Sequence, residues 1–144
     1  MTTIKLNPYL TFNGTGGDAI ALYERVLGAT AENVSRFRDV PAMKIAEEHG
    51  GRIMHALLRI GEGVVMVSDT MPEHPIKLAG NVHVCLHFTD EAEMRSKFDA
   101  LAEGGNVTMA LHDTFWGAIF GVLVDAHGIQ WMFNHSKNEP AEKN

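Results

Sequence analysis

The chain of 144 residues contains a single cysteine, Cys85. One thiol cannot close an intrachain disulfide, nor can it build a cysteine-based zinc site within one chain. That usage fits a reducing compartment, and a cytoplasmic location is expected. No apolar stretch approaches the roughly 20 residues that a membrane-spanning helix requires. The opening MTTIKLNPYLTFN lacks a charged segment followed by an apolar one, so no signal peptide is expected. Positive charge is also scarce, with 12 Lys and Arg against 18 Asp and Glu and a formal net charge of -6. Such a balance argues against nucleic acid and anionic membrane surfaces as partners. No Gly-rich strand-to-helix turn with a following acidic residue is present to hold a nucleotide cofactor.

What is present suits a globular chain of one domain, or two small halves sharing a core. Hydrophobic residues make up 45% of it, and its 14 glycines favour hairpins and tight turns. IKLNPYLTF carries strand-forming residues, with Pro8 tolerable near a strand start. NGTGG reads as a turn, and Asp18 is placed to cap the helix DAIALYERVLGA, which Gly28 ends. ATAENVSRFRDV reads as a second strand. PAMKIAEEHGG is either a short helix or a loop. RIMHALLRI and VVMVSD then form a hairpin across GEG, and TMPEHPIKLAG is a connecting loop.

After that loop the order repeats. NVHVCLHFT alternates, with Val82, Val84, Leu86 and Phe88 on one face and His83, Cys85 and His87 on the other. DEAEMRSKFDALAEGG is helical, with Met94, Phe98 and Leu101 on one side and Gly104 as its stop. NVTMALH is a strand, and a second hairpin follows. Displaced by 65 positions, the two hairpins correspond: Leu58 falls on Leu123, Gly63 on Gly128, Val67 on Met132 and Asp69 on Asn134. The first strands match at a displacement of 76, which sets Phe12 on Phe88. The chain therefore reads as one β-α-β-β-β unit occurring twice, over about 1–70 and 81–135, with a polar tail at 136–144.

LNPYLTF, ALYERVLGA, VVMVSDTMP, DTFWGAIFG and DAHGIQWMFN together resemble the PhnB-like branch of the vicinal-oxygen-chelate superfamily. That superfamily includes glyoxalase I, extradiol dioxygenases, fosfomycin-resistance enzymes and bleomycin-binding proteins. The likeness runs over nearly the whole chain. It implies an α+β fold of two βαβββ modules, each curling its sheet into a half-barrel around a concave surface, often within a homodimer. Some members of the branch carry a methyltransferase label, which nothing in these residues supports.

Metal-dependent members place one ligand on the first strand and one on the last strand of each module. Carried onto this chain, those positions are Asn7, Val67, His83 and Met132. Of the four only His83 is a good ligand for zinc, nickel or iron; Val67 cannot coordinate, Asn7 is a poor donor and a thioether prefers soft metals. The resemblance thus implies that the usual divalent centre is lost and that no cofactor is needed. A displaced site remains open if a hairpin sets His55 opposite Asp69, near His83 and His87.

The motif TFWGAIFG offers a second set of candidates. Trp116, with Phe115 and Phe120 nearby, suits an aromatic wall of a small-molecule site floored by Tyr9, Gln130 and Met132. Core or dimer packing is the competing reading for each of these residues. Cys85 reads as a small core filler rather than a nucleophile, because neighbours two apart on a strand lie roughly 6–7 Å apart. His112 and Asp113 read as a solvated turn, and His74, His127 and His135 as exposed. The expected ligand-binding set is Asn7, Tyr9, Val67, His83, Cys85, Trp116, Gln130 and Met132, with His83, His55 and Asp69 as acid-base candidates. Three functions stay open: a binding protein for a small, largely apolar molecule; a lyase, isomerase or dioxygenase using a metal or histidines at a displaced site; and a protein-interaction module.

Overall fold

The structure is a computed structural model describing residues 3–137. It divides into two compact units at the Lys77–Leu78 bond. The first holds β1 (Tyr9–Phe12), α1 (Gly16–Leu27), β2 (Thr30–Arg36), β3 (Ile53–Ile60) and β4 (Gly63–Asp69). Its sheet runs β1-β4-β3-β2, with β1 parallel to β4 and the other pairs antiparallel. The second holds β5 (Val84–His87), α2 (Glu91–Ala102), β6 (Asn106–Asp113), β7 (Ala118–Val124) and β8 (Gln130–Ser136). Its sheet repeats the pattern as β5-β8-β7-β6, again with one parallel pair. These are two βαβββ half-barrel modules of an α+β fold. The expected second strand ATAENVSRFRDV stops at Arg36, after which Phe37–Asp39 form a 3-10 turn, and the undecided PAMKIAEEHGG forms two more, at Pro41–Met43 and Glu47–His49. The tail expected at 136–144 begins later than the sequence suggests, since Ser136 still belongs to β8; residues 138–144 lie outside the described chain.

Each module has its own core between the helix and one face of the sheet. In the first, Ala19, Tyr23 and Val26 of α1 are buried with Leu10, Phe12, Ala56, Leu58, Val65 and Val67. In the second, Met94, Phe98 and Leu101 are buried with Ile119, Leu123, Trp131 and Phe133. The ring of Phe98 meets that of Phe133 edge-on at 5.1 Å, and Phe88 stacks on Phe133 at 5.2 Å. Burial of each large apolar side chain contributes about 1.5–3 kcal/mol. The helices correspond at a displacement of 75, which sets Tyr23 on Phe98 and Val26 on Leu101.

Helix ends differ between the modules. Asp90 caps α2 by accepting the Glu93 N–H at 3.2 Å. Asp18 does not cap α1: the helix begins two residues earlier, at Gly16, and its N-cap Thr15 makes no side-chain cap bond. The first N–H of the helix is instead taken from across the sheet, by the Asp69 carboxylate at 2.8 Å. Gly28 ends α1 in the left-handed conformation at φ 67, as a residue without Cβ allows.

The two hairpins are related by one displacement on the way in and another on the way out. Leu58 pairs with Val65 in the first, and Leu123 with Trp131 in the second. All four face their helices and are buried. The turn after Ile60 has two residues, Gly61 and Glu62, before the chain pairs again at Gly63. Its counterpart has three, Ala126, His127 and Gly128, between Asp125 and Ile129. The last strands therefore correspond at 66 positions, not 65. A one-residue slip exchanges the two faces of a strand. Val67 is the counterpart of Phe133, and Met66 that of Met132.

Candidate functional site

In each module the face opposite the helix carries the side chains that remain free to meet a ligand. On the first sheet these are Tyr9 of β1, Glu32 and Ser35 of β2, His55, Leu57 and Arg59 of β3, and Val64, Met66 and Ser68 of β4. The register fixes this, since Tyr9 pairs with Met66 and Met66 with Leu57. Tyr9 reaches across β4 so that its hydroxyl lies 2.9 Å from His55 Nδ1, with the ring centroids 5.9 Å apart. Asn7, just before β1, is half-buried and spends its amide on the Val64 carbonyl at 3.1 Å.

Two expected residues of this module lie elsewhere. Val67 is fully buried on the helix side, so it cannot line a ligand surface on the opposite face. Asp69 is buried as well, and its carboxylate accepts the backbone N–H groups of Gly14, Gly16 and Ile53 at 2.8–2.9 Å. It stands on the face opposite to His55, which is level with Ser68 through the β3–β4 register. Asp69 therefore joins the β1–α1 turn to β3 and is not available as an acid or base. Sequence spacing missed Met66, and the signal that finds it is the extra residue in the second turn.

On the second sheet the same face presents Cys85 and His87 of β5, Phe120 and Val122 of β7, and Gln130, Met132 and Asn134 of β8. Cys85 pairs with Met132 and His87 with Asn134. The Asn134 amide approaches His87 Nδ1 at 3.2 Å. Cys85 is exposed rather than core filler. The surroundings that cover part of the side chain nevertheless push its thiol pKa up, which disfavours the thiolate a nucleophile needs. Gln130 uses its amide structurally, donating to the carbonyls of Ala79 and Val82 at 3.3 and 3.0 Å. His83 precedes β5 and is half-buried.

Trp116 stands in the β6–β7 turn, 58% exposed, next to Phe115 at 96%. The two rings meet edge-on at 4.9 Å, and Trp116 lies 6.5 Å from Phe120. The aromatic group expected from TFWGAIF thus forms, as a projecting surface feature. Gly121 allows β6 a close approach to β7: a Cβ there would lie 2.8 Å from Leu111 Cδ2 and 3.1 Å from the Met109 carbonyl and the Leu111 amide. His112 and Asp113 are exposed, and the Lys137 ammonium paired with Asp113 holds that carboxyl below its ordinary pKa. His135, expected to be exposed, lies within β8, half-buried, with Nδ1 2.9 Å from the Phe88 carbonyl.

The donors present do not fit a borderline divalent metal. With the corrected register, the positions that the resemblance implies for ligands are Asn7 and Met66 in the first module and His83 and Met132 in the second. Asn7 offers only a neutral amide oxygen, a weak donor, both last-strand positions are thioethers, and His83 alone is a suitable ligand. Within the first module His55 and Asp69 stand on opposite faces of the sheet and do not form a substitute pair. Among the described residues no three His, Cys, Asp or Glu side chains are grouped to hold an ion.

Comparison with known proteins agrees with this architecture. The profile of the Glyoxalase/Bleomycin resistance protein/Dioxygenase superfamily matches residues 5–133. Protein YjdN of Escherichia coli is 35% identical over 95% of this chain and 99% of its own. The crystal structure of PA1353 from Pseudomonas aeruginosa is similar with a TM-score of 0.83 at 38% identity, covering 93% of this chain and 98% of that one. The PhnB protein from Bacillus cereus shares the fold, with a TM-score of 0.75 at 22% identity over 92% of this chain and 99% of its own.

Proposed function

Given that the chain belongs to the Glyoxalase/Bleomycin resistance protein/Dioxygenase superfamily, we propose that it binds a small, largely apolar molecule on the helix-free faces of its sheets, without the divalent metal used by catalytic relatives. The observation that carries this reading is the donor set. Two thioethers, a neutral amide and one histidine stand where the resemblance implies that a metal-dependent member needs His, Gln or Glu. The same faces offer the apolar and aromatic lining that small-molecule sites use, in Leu57, Met66, Met132 and Phe120. The PhnB-like branch, which the sequence motifs resemble, is supported by the fold shared with the B. cereus protein.

Within this reading the protein is a cytoplasmic homodimer. Family resemblance is the support for the dimer, and the lone cysteine for a reducing compartment. Among the described residues no helix is long and apolar enough to cross a membrane.

Elemental analysis of untagged protein, followed by calorimetric titration with zinc, nickel, manganese and iron(II), tests the metal-free part. The expected result is substoichiometric metal and no binding heat. Stoichiometric metal that His83→Ala abolishes would overturn it and favour a lyase, isomerase or dioxygenase built on a displaced site.

A further inference from the structure

The contact between Tyr9 and His55 joins two side chains that lie outside the buried core of the first module. Tyr9 is 47% exposed and His55 half-buried. Their side chains converge over β4, above Met66, from strands that are not neighbours in the sheet. The nearest hydroxyl on that face, Ser68, is engaged elsewhere, donating to the Met54 carbonyl at 2.9 Å. The couple shares its face with Leu57, Met66 and Val64, and, towards β2, with Ser35 and with Glu32 and Arg59, which pair with each other at 2.6 Å.

A 2.9 Å contact between a phenol and an imidazole nitrogen can form in two ways. The Tyr9 hydroxyl donates to Nδ1, which leaves Nε2–H as a spare donor and the phenol oxygen as a spare acceptor. Alternatively Nδ1–H donates to the phenol oxygen, which leaves the hydroxyl as donor and Nε2 as acceptor. Each arrangement keeps one donor and one acceptor side by side at the edge of an apolar surface. Polar groups of this kind, few and placed against apolar walls, fix the orientation of a bound molecule.

We infer that Tyr9 and His55 act as one oxygen-recognising couple, and that the ligand is an apolar molecule bearing a hydroxyl or carbonyl oxygen, such as a phenol. This rests on the small-molecule reading above. The couple positions the ligand, and no chemical step is assigned to it.

The test compares p-cresol with toluene, which differ by one hydroxyl, in wild-type protein and in the double variant Tyr9→Phe/His55→Leu. Binding is followed by NMR titration of the amide signals of β1, β3 and β4. The double variant is expected to weaken p-cresol about tenfold, the worth of a hydrogen bond, and to leave toluene unchanged. Toluene binding also shows that the variant is folded. Parallel changes for both probes, or none for either, would overturn the couple while leaving the apolar site standing. Failure of both probes to bind the wild type would overturn the small-molecule reading itself. Independently of any ligand, the 15N shifts of the His55 ring should show one fixed tautomer in the wild type that Tyr9→Phe releases. A freely exchanging ring in the wild type would contradict the contact.

Discussion

Trp131 donates its indole N–H to the Asp125 carboxylate at 2.8 Å, and both side chains are buried at the end of the β7–β8 hairpin. The other carboxylate oxygen accepts the backbone N–H groups of His127 and Ile129 at 2.8 and 3.1 Å. One side chain therefore sets both the longer turn and the orientation of the largest ring in the core. Asp125→Ala leaves three buried or half-buried donors unmatched, and a loss of about 2–4 kcal/mol is expected. Urea unfolding followed by Trp fluorescence measures it. A loss under about 0.5 kcal/mol, the scale of an ordinary surface change, would mean the turn does not depend on Asp125.

Asp69 plays the comparable part in the first module, holding Gly14, Gly16 and Ile53. Asp69→Ala is expected to cost about 2–4 kcal/mol of stability, because three backbone donors lose a charged acceptor. The acid-base role that the sequence allowed makes a different forecast, with stability kept and an activity lost. Thermal unfolding of the variant separates the two. Gly16→Ala tests the same contact from the other side, since a Cβ there would lie 2.8 Å from Asp69 Oδ2.

The repeat, the two helices and the order of strands were legible because periodicity, glycine stops and the alternation of β5 all pointed one way. The choice of faces was not. Strand parity turns on a single residue, and GEG and DAHG look interchangeable until the hydrogen bonds show that the second turn holds one residue more. That difference makes Met66, not the buried Val67, the counterpart of Met132. Asp69 was misread for a related reason. A carboxylate at a strand end has the same sequence appearance whether it faces solvent or backbone N–H groups. The Tyr9–His55 contact was illegible because it joins side chains 46 positions apart on strands separated by a third.

Cys85 is the sole thiol, so its reactivity can be followed without background. Its pKa is raised by desolvation, so the thiolate is scarcer at neutral pH than for an ordinary cysteine, and alkylation calls for a higher pH. Iodoacetamide labelling near pH 7 is expected to be slower than for glutathione, rising as pH passes above the ordinary thiol value. Labelling that is already fast at pH 7 would indicate an activated thiolate and reopen a nucleophilic role.

The pair between Asp113 and Lys137 is exposed and lowers the carboxyl pKa through a hydrogen bond and direct charge attraction. A depressed folded-state pKa adds stability above the unfolded carboxyl value, and this is lost as pH falls through the folded one. Lys137→Met should therefore return the Asp113 titration upward towards the ordinary range in a carboxyl 13C NMR experiment. The effect on stability should be small, since solvent screens the pair. An unmoved titration would mean that Lys137 does not hold the carboxylate.

The central claim is that an apolar molecule binds here without a metal, and the most direct measurement is ligand-induced thermal stabilisation with and without chelator. A screen of small aromatic compounds in EDTA-treated protein is expected to raise the melting temperature for a subset of them, with the same shift when zinc or nickel is restored. Stabilisation that disappears in EDTA and returns with one metal would contradict the account and place a metal in the site.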